Sequence, residues 1–167
     1  MANSQEQLQR EIKQDRPFRS PAEAALVGLL RTTGALRRRY TDVLAPYDLT
    51  PTQYNVLRIL RGAGEPLPTM EIRDRMVEEQ PGVTRVVDAL AGRGLVERNR
   101  SAEDRRRVLC SITKSGQDLL RQLDDPVRQF DETCLEMLSR AEQKKLVELL
   151  GTIRSGLSED TEVSASS

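Results

Sequence analysis

With 167 residues, 37% of them apolar and 31% charged, the chain has the size of one ordinary domain and can bury a core without disulfides or metal. No apolar run approaches the roughly 18 residues of a membrane-spanning helix, and the polar N-terminus lacks a secretory signal, so we expect a cytoplasmic protein without membrane contacts. The formal net charge of zero conceals a gradient from +3 over residues 1–68 to −5 over residues 115–167, and so does not exclude nucleic-acid binding through a local basic patch.

The N-terminal part of the sequence predicts one long helix after a flexible polar segment. Residues 1–19 are polar and have room for a short helix before Pro17. A helix of about 24 residues then begins at Pro21 and ends near Pro46, with the run Arg37-Arg38-Arg39 on its polar face. Its apolar positions follow helical spacing: Leu26, Leu29, Leu30, Leu36, Tyr40, Val43 and Leu44.

The segment LTPTQYNVLRIL predicts a second helix with a well-defined start. Thr50 is the expected N-cap, Pro51 occupies the first helical position, and Gln53 completes a Thr-x-x-Gln capping box. One apolar face of this helix is lined by Tyr54, Val56, Leu57 and Leu60. The segment RGAGEPLP, with two glycines and two prolines, then ends the helix.

Two short helices follow, and together they have the pattern of a helix-turn-helix. The first is expected to run from Thr69 as N-cap through Met76, and the second to start near Gln80 and Pro81. The second helix carries one apolar stripe at i, i+3, i+4 and i+7, formed by Val83, Val86, Val87 and Leu90. Gly94 is a natural cap for its C-terminus. For this segment alone, a helical hairpin in a small α-protein is the alternative.

The segments GLVERNR and RRVLCSIT predict two strands joined by SAED. In the second strand Val108, Cys110 and Ile112 alternate with Leu109, Ser111 and Thr113. A β-hairpin directly behind a helix-turn-helix is the wing of a winged helix. The charged run Glu103-Asp104-Arg105-Arg106-Arg107 then lies at the tip of that wing, although a solvated surface turn is the alternative interpretation.

The C-terminal part predicts two further helices. TKSGQDLL opens a long one, and Ser139 with Glu142 forms a capping box that starts the last one. The fold class is therefore mainly α with a small β-hairpin wing, a winged helix-turn-helix flanked by N- and C-terminal helices. The expected divisions are a flexible segment at 1–19, flanking helices at 20–48 and 114–156, the winged helix-turn-helix at 49–113, and a disordered tail at 157–167.

These elements, in this order, resemble the MarR family of bacterial transcription regulators. The resemblance rests on LTPTQYNVLRIL, on PGVTRVVDALAGRGLVER for the recognition helix and the start of the wing, and on SAEDRRRVLCSIT..G for the wing. It implies a homodimer in which the flanking helices, as a dimerisation region, intertwine with those of the partner chain. Such a dimer presents two winged helices to a palindromic operator on double-stranded DNA, here as a repressor at the bacterial nucleoid.

The recognition helix, with its apolar stripe toward the core, leaves Gln80, Thr84, Arg85 and Asp88 on or near the opposite side. Such a helix enters the major groove with its N-terminal residues at the base edges. We expect Arg85 to contact guanine, Gln80 to read adenine, and Thr84 to bind a base or a phosphate. The alternative for Thr84 is a hydrogen bond of its hydroxyl within the first helical turn, and the alternative for Arg85 is a salt bridge to Asp88. Thr69, at the start of the preceding helix, completes the expected DNA contacts of the helix-turn-helix.

For the wing, the family resemblance maps an Asp-x-Arg pattern onto Asp104-Arg105-Arg106. The pattern implies that Asp104 orients the arginine side chains while Arg106 inserts into the minor groove. Arg105 or Arg107 then binds phosphates. A narrow minor groove suits an arginine because it concentrates negative potential.

Glu78 and Glu79 argue in the other direction, because they precede the recognition helix where phosphates would approach. They replace the small polar residues expected there and should repel DNA, although they also favour the helix dipole. Together with the zero net charge, they motivate an alternative function, a winged-helix module that has lost DNA binding and recognises protein.

Catalytic, metal and cofactor sites are not expected. The chain has no histidine, and no Gly-rich phosphate loop or paired-carboxylate motif stands out, so we expect no enzyme. Cys110 and Cys134 have no CxxC spacing and are interpreted as small core residues rather than metal ligands or redox sensors. We therefore favour response to a small ligand, or to none, over oxidation.

The tyrosines provide candidates for a ligand site. By the resemblance, family ligands are often aromatic acids, bound in a crevice between the dimerisation helices and the winged domain. Tyr40, Tyr47 and Tyr54 fall on or between the first two helices, near that crevice by analogy. They are the candidate contacts for a small aromatic or phenolic effector, and core packing is the alternative for each.

Overall fold

The computed structural model describes residues 4–78, 82–100 and 108–164, with side chains as far as residue 157. Within these ranges the chain forms seven α-helices, three β-strands and one 3-10 turn, which confirms the predicted class of a mainly helical fold with a small wing. Their bounds in chain order are α1 Ser4–Glu11, α2 Pro21–Leu44, the 3-10 turn Ala45–Tyr47, α3 Pro51–Ala63, β1 Leu67–Pro68, α4 Thr69–Asp74, α5 Val83–Gly92, β2 Val96–Arg100, β3 Val108–Ile112, α6 Lys114–Leu135 and α7 Arg140–Ser164.

Side-chain caps determine where α2 and α3 begin. The Ser20 hydroxyl accepts a hydrogen bond from the Glu23 amide at 3.2 Å, and Pro21 occupies the first position of α2. At the start of α3 the Gln53 amide donates to the Thr50 hydroxyl at 3.2 Å, and the Thr50 amide donates to the Gln53 side chain at 2.9 Å. The predicted capping box is therefore confirmed, and it satisfies two amides that a helix start leaves unpaired.

The wing is an antiparallel sheet in the order β1-β3-β2, so β3 is its central strand. Strands β2 and β3 pair over five consecutive residue pairs, which confirms the predicted hairpin. Strand β1 was not predicted, because its two residues are too short to carry an alternating pattern. It places Leu67 opposite Cys110, and both side chains are buried, so the expectation of Cys110 as a core residue is confirmed.

The chain divides into two compact units, Met1–Pro126 and Val127–Ser167. The fully buried side chains of the first unit come from α2 to α6 and the sheet: Leu44, Val56, Leu57, Leu60, Leu67, Ile72, Val87, Leu90, Cys110, Leu120 and Leu123. Arg61 on α3 also binds α6, because its guanidinium donates to both carboxylate oxygens of Asp124 at 3.0 and 2.8 Å. The Asp124 carboxylate thereby raises the pKa of Arg61.

A proline inside α6 explains one contact of the 3-10 turn. Pro126 has no amide hydrogen, so the carbonyl of Gln122, four residues earlier, loses its helical donor. The Tyr47 hydroxyl donates to this carbonyl at 3.4 Å. Tyr47 therefore compensates for the hydrogen bond that Pro126 removes.

In the second unit, α7 begins at the predicted Ser139–Glu142 capping box, which two hydrogen bonds confirm. The Ser139 amide donates to the Glu142 carboxylate at 2.8 Å, and the Glu142 amide donates to the Ser139 hydroxyl at 3.4 Å. The Ser139 hydroxyl and amide hold the pKa of Glu142 below its ordinary value. Helix α7 continues to Ser164, so the tail expected to be disordered from residue 157 is helical through Ser164.

Cys134, expected in the core, is only half-buried. Several apolar side chains of α7 are exposed in the single chain: Val147, Leu149, Ile153 and Leu157.

Candidate nucleic-acid interface

Helix α5 buries one face and exposes the other, as the apolar stripe predicted. Val83, Val87 and Leu90 are buried, whereas Thr84 and Arg85 are exposed near the N-terminal end. A helix of this kind, the second of a helix-turn-helix, can place its exposed N-terminal side chains against base edges in a major groove.

The start of α5 differs from the prediction. Gly82 precedes the helix with a φ of +92°, in the left-handed region that glycine tolerates, and the helix begins at Val83 rather than near Gln80 and Pro81. The Gly82 carbonyl accepts the Arg85 amide at 2.9 Å, which closes the first turn. Gln80, expected to read adenine, lies outside the described residues, and so do Glu79 and Pro81.

Asp88, on the exposed side of α5, forms an ion pair with a residue of the wing. Its carboxylate accepts a hydrogen bond from the guanidinium of Arg98 on β2, an arginine whose role no local sequence pattern indicates. The alternative, in which Asp88 binds Arg85, is not seen among the described residues. Within the described residues, no ion pair of Arg85 and no hydrogen bond of the Thr84 hydroxyl is found.

Helix α4, the first of the helix-turn-helix, is shorter than predicted. Pro68 takes the N-cap position, Thr69 is the first helical residue, and the helix ends at Asp74 rather than Met76. The half-buried Thr69 hydroxyl lies 3.8 Å from the sulfur of Cys110, so this contact with the core competes with the expected DNA contact. The DNA contact of Thr69 remains a prediction.

The turn between α4 and α5 is held by side chains from two other helices. The Arg37 guanidinium of α2 donates to the Glu78 carboxylate. From α3, the Asn55 side-chain oxygen accepts the Val77 amide at 2.9 Å. The acidic residue that was expected to repel DNA therefore has a positively charged partner.

The base of the wing is bound to the end of the recognition helix by Thr113. Its hydroxyl donates to the Gly94 carbonyl at 2.7 Å and accepts the Gly116 amide at 3.1 Å, which caps α6. Gly94 lies two residues after the last residue of α5 and has a φ of +69°, the left-handed conformation with which a glycine terminates a helix, as the sequence predicts. A Cβ on Gly116 would lie 2.4 Å from the Leu95 carbonyl oxygen, which explains the glycine at the end of the SAEDRRRVLCSIT..G motif.

Two further arginines near this base have different roles. Arg93, just after α5, donates to the Asp48 carbonyl at 2.5 Å and pairs with the Asp48 carboxylate at 3.4 Å, so it is a structural residue. Arg100 ends β2, is exposed, and forms no ion pair with a described residue. Sequence reasoning missed Arg100, although it lies on the same strand face as Arg98, two residues along. The wing-tip candidates Asp104, Arg105, Arg106 and Arg107 lie outside the described residues.

Of the three tyrosines, the structure brings two together. The rings of Tyr40 and Tyr54 meet edge to face, with centroids 5.8 Å apart, and the Arg58 guanidinium lies 5.8 Å from the Tyr54 ring centroid. Tyr54 is buried and Tyr40 is half-buried, so core packing accounts for most of the Tyr54 surface. The Tyr47 hydroxyl instead points to the Gln122 carbonyl, as described above.

In the part of the chain that is described, cysteine and acidic side chains nowhere gather in groups of three that could hold a metal ion. None of the helices described is both long and apolar enough to cross a membrane.

Comparisons with known proteins agree on one family. A MarR-family model matches residues 47–107. The chain is similar to the crystal structure of a MarR transcription factor from Planctomyces limnophilus, with 36% identity, a TM-score of 0.63, and coverage of 81% of this chain and 98% of that one.

Two further solved structures carry information about ligands. The transcriptional repressor CouR, bound to a 23-mer DNA duplex, is 30% identical with a TM-score of 0.70 and coverage of 77% of this chain and 90% of that one. BpsR from Bordetella bronchiseptica, whose DNA binding is regulated by 6-hydroxynicotinic acid, is 25% identical with a TM-score of 0.70 and coverage of 75% and 89%. Both similarities extend over most of the described fold.

Proposed function

Because the chain belongs to the MarR family of DNA-binding transcriptional regulators, we propose that it represses transcription as a homodimer on a palindromic operator. The observation that carries this proposal is the exposure of Thr84 and Arg85 on the unburied face of α5, while the ion pair with Arg98 occupies the neighbouring Asp88. An exposed guanidinium at this position suits bidentate contact with guanine. As a DNA-bound regulator the protein would act in the bacterial cytoplasm, at the nucleoid.

The proposed base contacts are Arg85 with guanine, Thr84 with a base or phosphate, and Gln80 with adenine. In the wing, Arg106 enters the minor groove, Asp104 orients the arginine side chains, and Arg105 or Arg107 binds phosphates. Arg100 joins this set as a phosphate contact, since it is exposed at the end of β2 and forms no ion pair with a described residue. The antiparallel pairing of β2 with β3 supports a wing in this part of the chain.

Dimerisation is supported by apolar side chains that the single chain leaves exposed on its flanking helices. On α2 they are Leu26, Leu29, Leu30 and Leu36, and on α7 they are Val147, Leu149, Ile153 and Leu157. Burial of a leucine or isoleucine side chain contributes about 1.5–3 kcal/mol, so covering these stripes with a second copy stabilises a dimer. Sedimentation at micromolar concentration tests this: a dimer is expected, and a monomer alone would contradict it.

A small aromatic or phenolic acid is the proposed effector. It binds near Tyr40, and its binding causes the protein to release DNA. The half-buried Tyr40 ring and the Arg58 guanidinium, both in contact with the ring of Tyr54, offer an aromatic edge and a positive charge to such a ligand. BpsR supports the ligand class, because 6-hydroxynicotinic acid, which regulates its DNA binding, is a hydroxylated aromatic acid. Tyr47 is the weakest of the three tyrosine candidates, because its hydroxyl already binds the Gln122 carbonyl.

The alternative of a protein-interaction module without DNA binding rested on Glu78, Glu79 and the zero net charge. The pairing of Glu78 with Arg37 weakens it, because the guanidinium compensates one of the two negative charges. The arginines that the wing sequence contributes, Arg105, Arg106 and Arg107, also favour DNA.

Titration of a random-sequence 24-bp duplex at several salt concentrations separates the two functions. A DNA-binding protein loses affinity steeply as salt rises, with a log–log slope of about −0.9 per phosphate neutralised. We expect binding at about 50 mM salt that weakens by orders of magnitude toward 200 mM. Absence of binding even at low salt would reject the proposed function.

A further inference from the structure

The turn between α4 and α5 is held from outside the helix-turn-helix by two side chains. Arg37 on α2 donates to the Glu78 carboxylate, and Asn55 on α3 accepts the Val77 amide at 2.9 Å. Val77 itself is 82% exposed, so apolar packing of its side chain does not fix the turn. We call these two contacts, of Arg37 with Glu78 and of Asn55 with Val77, the turn clamp.

The turn clamp acts at the residues that lead into the recognition helix. Glu78 lies four residues before Gly82, whose left-handed backbone directs the chain into α5. The buried stripe of α5 fixes the helix against the core. The turn clamp in turn holds Val77 and Glu78, the last described residues before Gly82, through contacts from α2 and α3.

We infer that Arg37 and Asn55 are positioning residues for DNA recognition, which act through Glu78 and the Val77 amide rather than by touching DNA. This inference rests on the proposed contacts of the α5 N-terminal half with base edges. Both partners of the ion pair are about half exposed, so the pair changes folding stability little but can hold the turn in one arrangement. Arg37 also follows directly after the exposed Leu36 of α2, so the clamp connects the proposed dimer helix to the DNA-reading helix.

The direction in which one substitution changes DNA affinity distinguishes a positioning role from simple charge repulsion. If Glu78 acted only as a negative charge near DNA, Glu78→Gln would strengthen binding to every duplex. If Glu78 holds the turn through Arg37, the same substitution weakens binding to the preferred duplex and leaves binding to random duplex equal or slightly stronger. The ratio of the two affinities is therefore the diagnostic quantity, because a bulk charge effect alters both affinities together.

The test uses the whole 167-residue chain, the duplex that the wild type selects from a random pool, and a random duplex of equal length. The variants are Arg37→Gln, Glu78→Gln, the charge exchange Arg37→Glu with Glu78→Arg, and Asn55→Leu. Arg39→Gln is the matched control, because Arg39 belongs to the same exposed arginine run and forms no ion pair with a described residue. Thermal melting of every variant verifies that the fold is retained.

We expect Arg37→Gln and Glu78→Gln each to lower the ratio of specific to random affinity by about fivefold, the upper range for an exposed pair. Asn55→Leu should lower it by up to about tenfold because it leaves the Val77 amide without its acceptor. The charge exchange should restore the ratio, and Arg39→Gln should leave it unchanged. If Glu78→Gln strengthened binding to both duplexes alike, or left both unchanged, the positioning role would be wrong while DNA binding stood. A wild type that binds neither duplex would overturn the proposed function itself.

Discussion

The Asp88 carboxylate on the recognition helix accepts a hydrogen bond from the Arg98 guanidinium on strand β2 of the wing. The two residues are ten positions apart in the chain, and the hairpin register places Arg98 opposite the buried Cys110. This pair joins the two parts of the fold that are proposed to enter the major and minor grooves. Among the described residues Asp88 forms no ion pair with Arg85, and the exposed Arg85 guanidinium is therefore proposed to contact a base.

The pairing can be tested by double-mutant cycles in urea unfolding at one fixed protein concentration. Asp88→Ala and Arg98→Ala should be non-additive, with a coupling of roughly 0.5–1 kcal/mol, because each removes the same partly exposed ion pair. Asp88→Ala and Arg85→Ala should be additive within a few tenths of a kcal/mol. The opposite result, coupling of Asp88 to Arg85 alone, would restore the salt bridge within α5.

Arg85→Ala should change which half-site the protein prefers. Removing a bidentate contact with guanine costs roughly 1–3 kcal/mol at the affected base pair and relaxes specificity there. Binding of the variant to single-base substitutions of the selected duplex measures the effect. Unchanged discrimination at every position would remove Arg85 from the base contacts.

Arg106→Ala should weaken binding to most duplexes by a similar factor, because a minor-groove arginine contributes to affinity largely through potential and groove width. The salt slope should also become shallower by about one. Lys13→Ala is the matched control, since it removes one exposed positive charge that lies outside the winged domain. Equal losses in the two variants would mean that the wing tip has no special role.

Gly116→Ala should destabilise the fold by about 3 kcal/mol or more. The added Cβ would lie 2.4 Å from the Leu95 carbonyl oxygen and 2.8 Å from the Ile112 side chain, and the backbone oxygen cannot move away cheaply. Gly62→Ala, where no atom lies within 4 Å of the added Cβ, should instead stabilise α3 by about 0.5–1 kcal/mol. Chemical unfolding of both variants measures the contrast. A Gly116 variant as stable as the wild type would contradict the close packing of α6 against the end of α5.

Local patterns were sufficient to predict most of the fold. The Thr50–Gln53 and Ser139–Glu142 capping boxes were recognisable because each places two complementary side chains three residues apart. The stripe from Val83 to Leu90 predicted which face of α5 is buried, and therefore which face carries Thr84 and Arg85. These features depend on neighbours within one or two helical turns.

The features that escaped prediction depend on contacts between distant residues. Nothing in the local sequence of α2 indicates that Arg37 binds Glu78, 41 positions later. The hydrogen bond from Tyr47 to the Gln122 carbonyl is a second such contact. It depends on Pro126, 79 positions after Tyr47, which leaves that carbonyl without a helical donor. The later start of α5 has a local cause, the left-handed Gly82, but the proline before it gave a stronger signal for a helix start.

Selection of bound duplexes from a random pool tests the central claim most directly. A homodimer with two recognition helices should recover an inverted repeat, whose half-site centres are separated by one helical turn of about 10 base pairs or a multiple of it. Arg85→Ala should recover a repeat with altered or relaxed base preference in each half and the same spacing. Recovery of no enriched sequence, or of a single half-site without its inverted copy, would contradict a dimeric sequence-specific regulator.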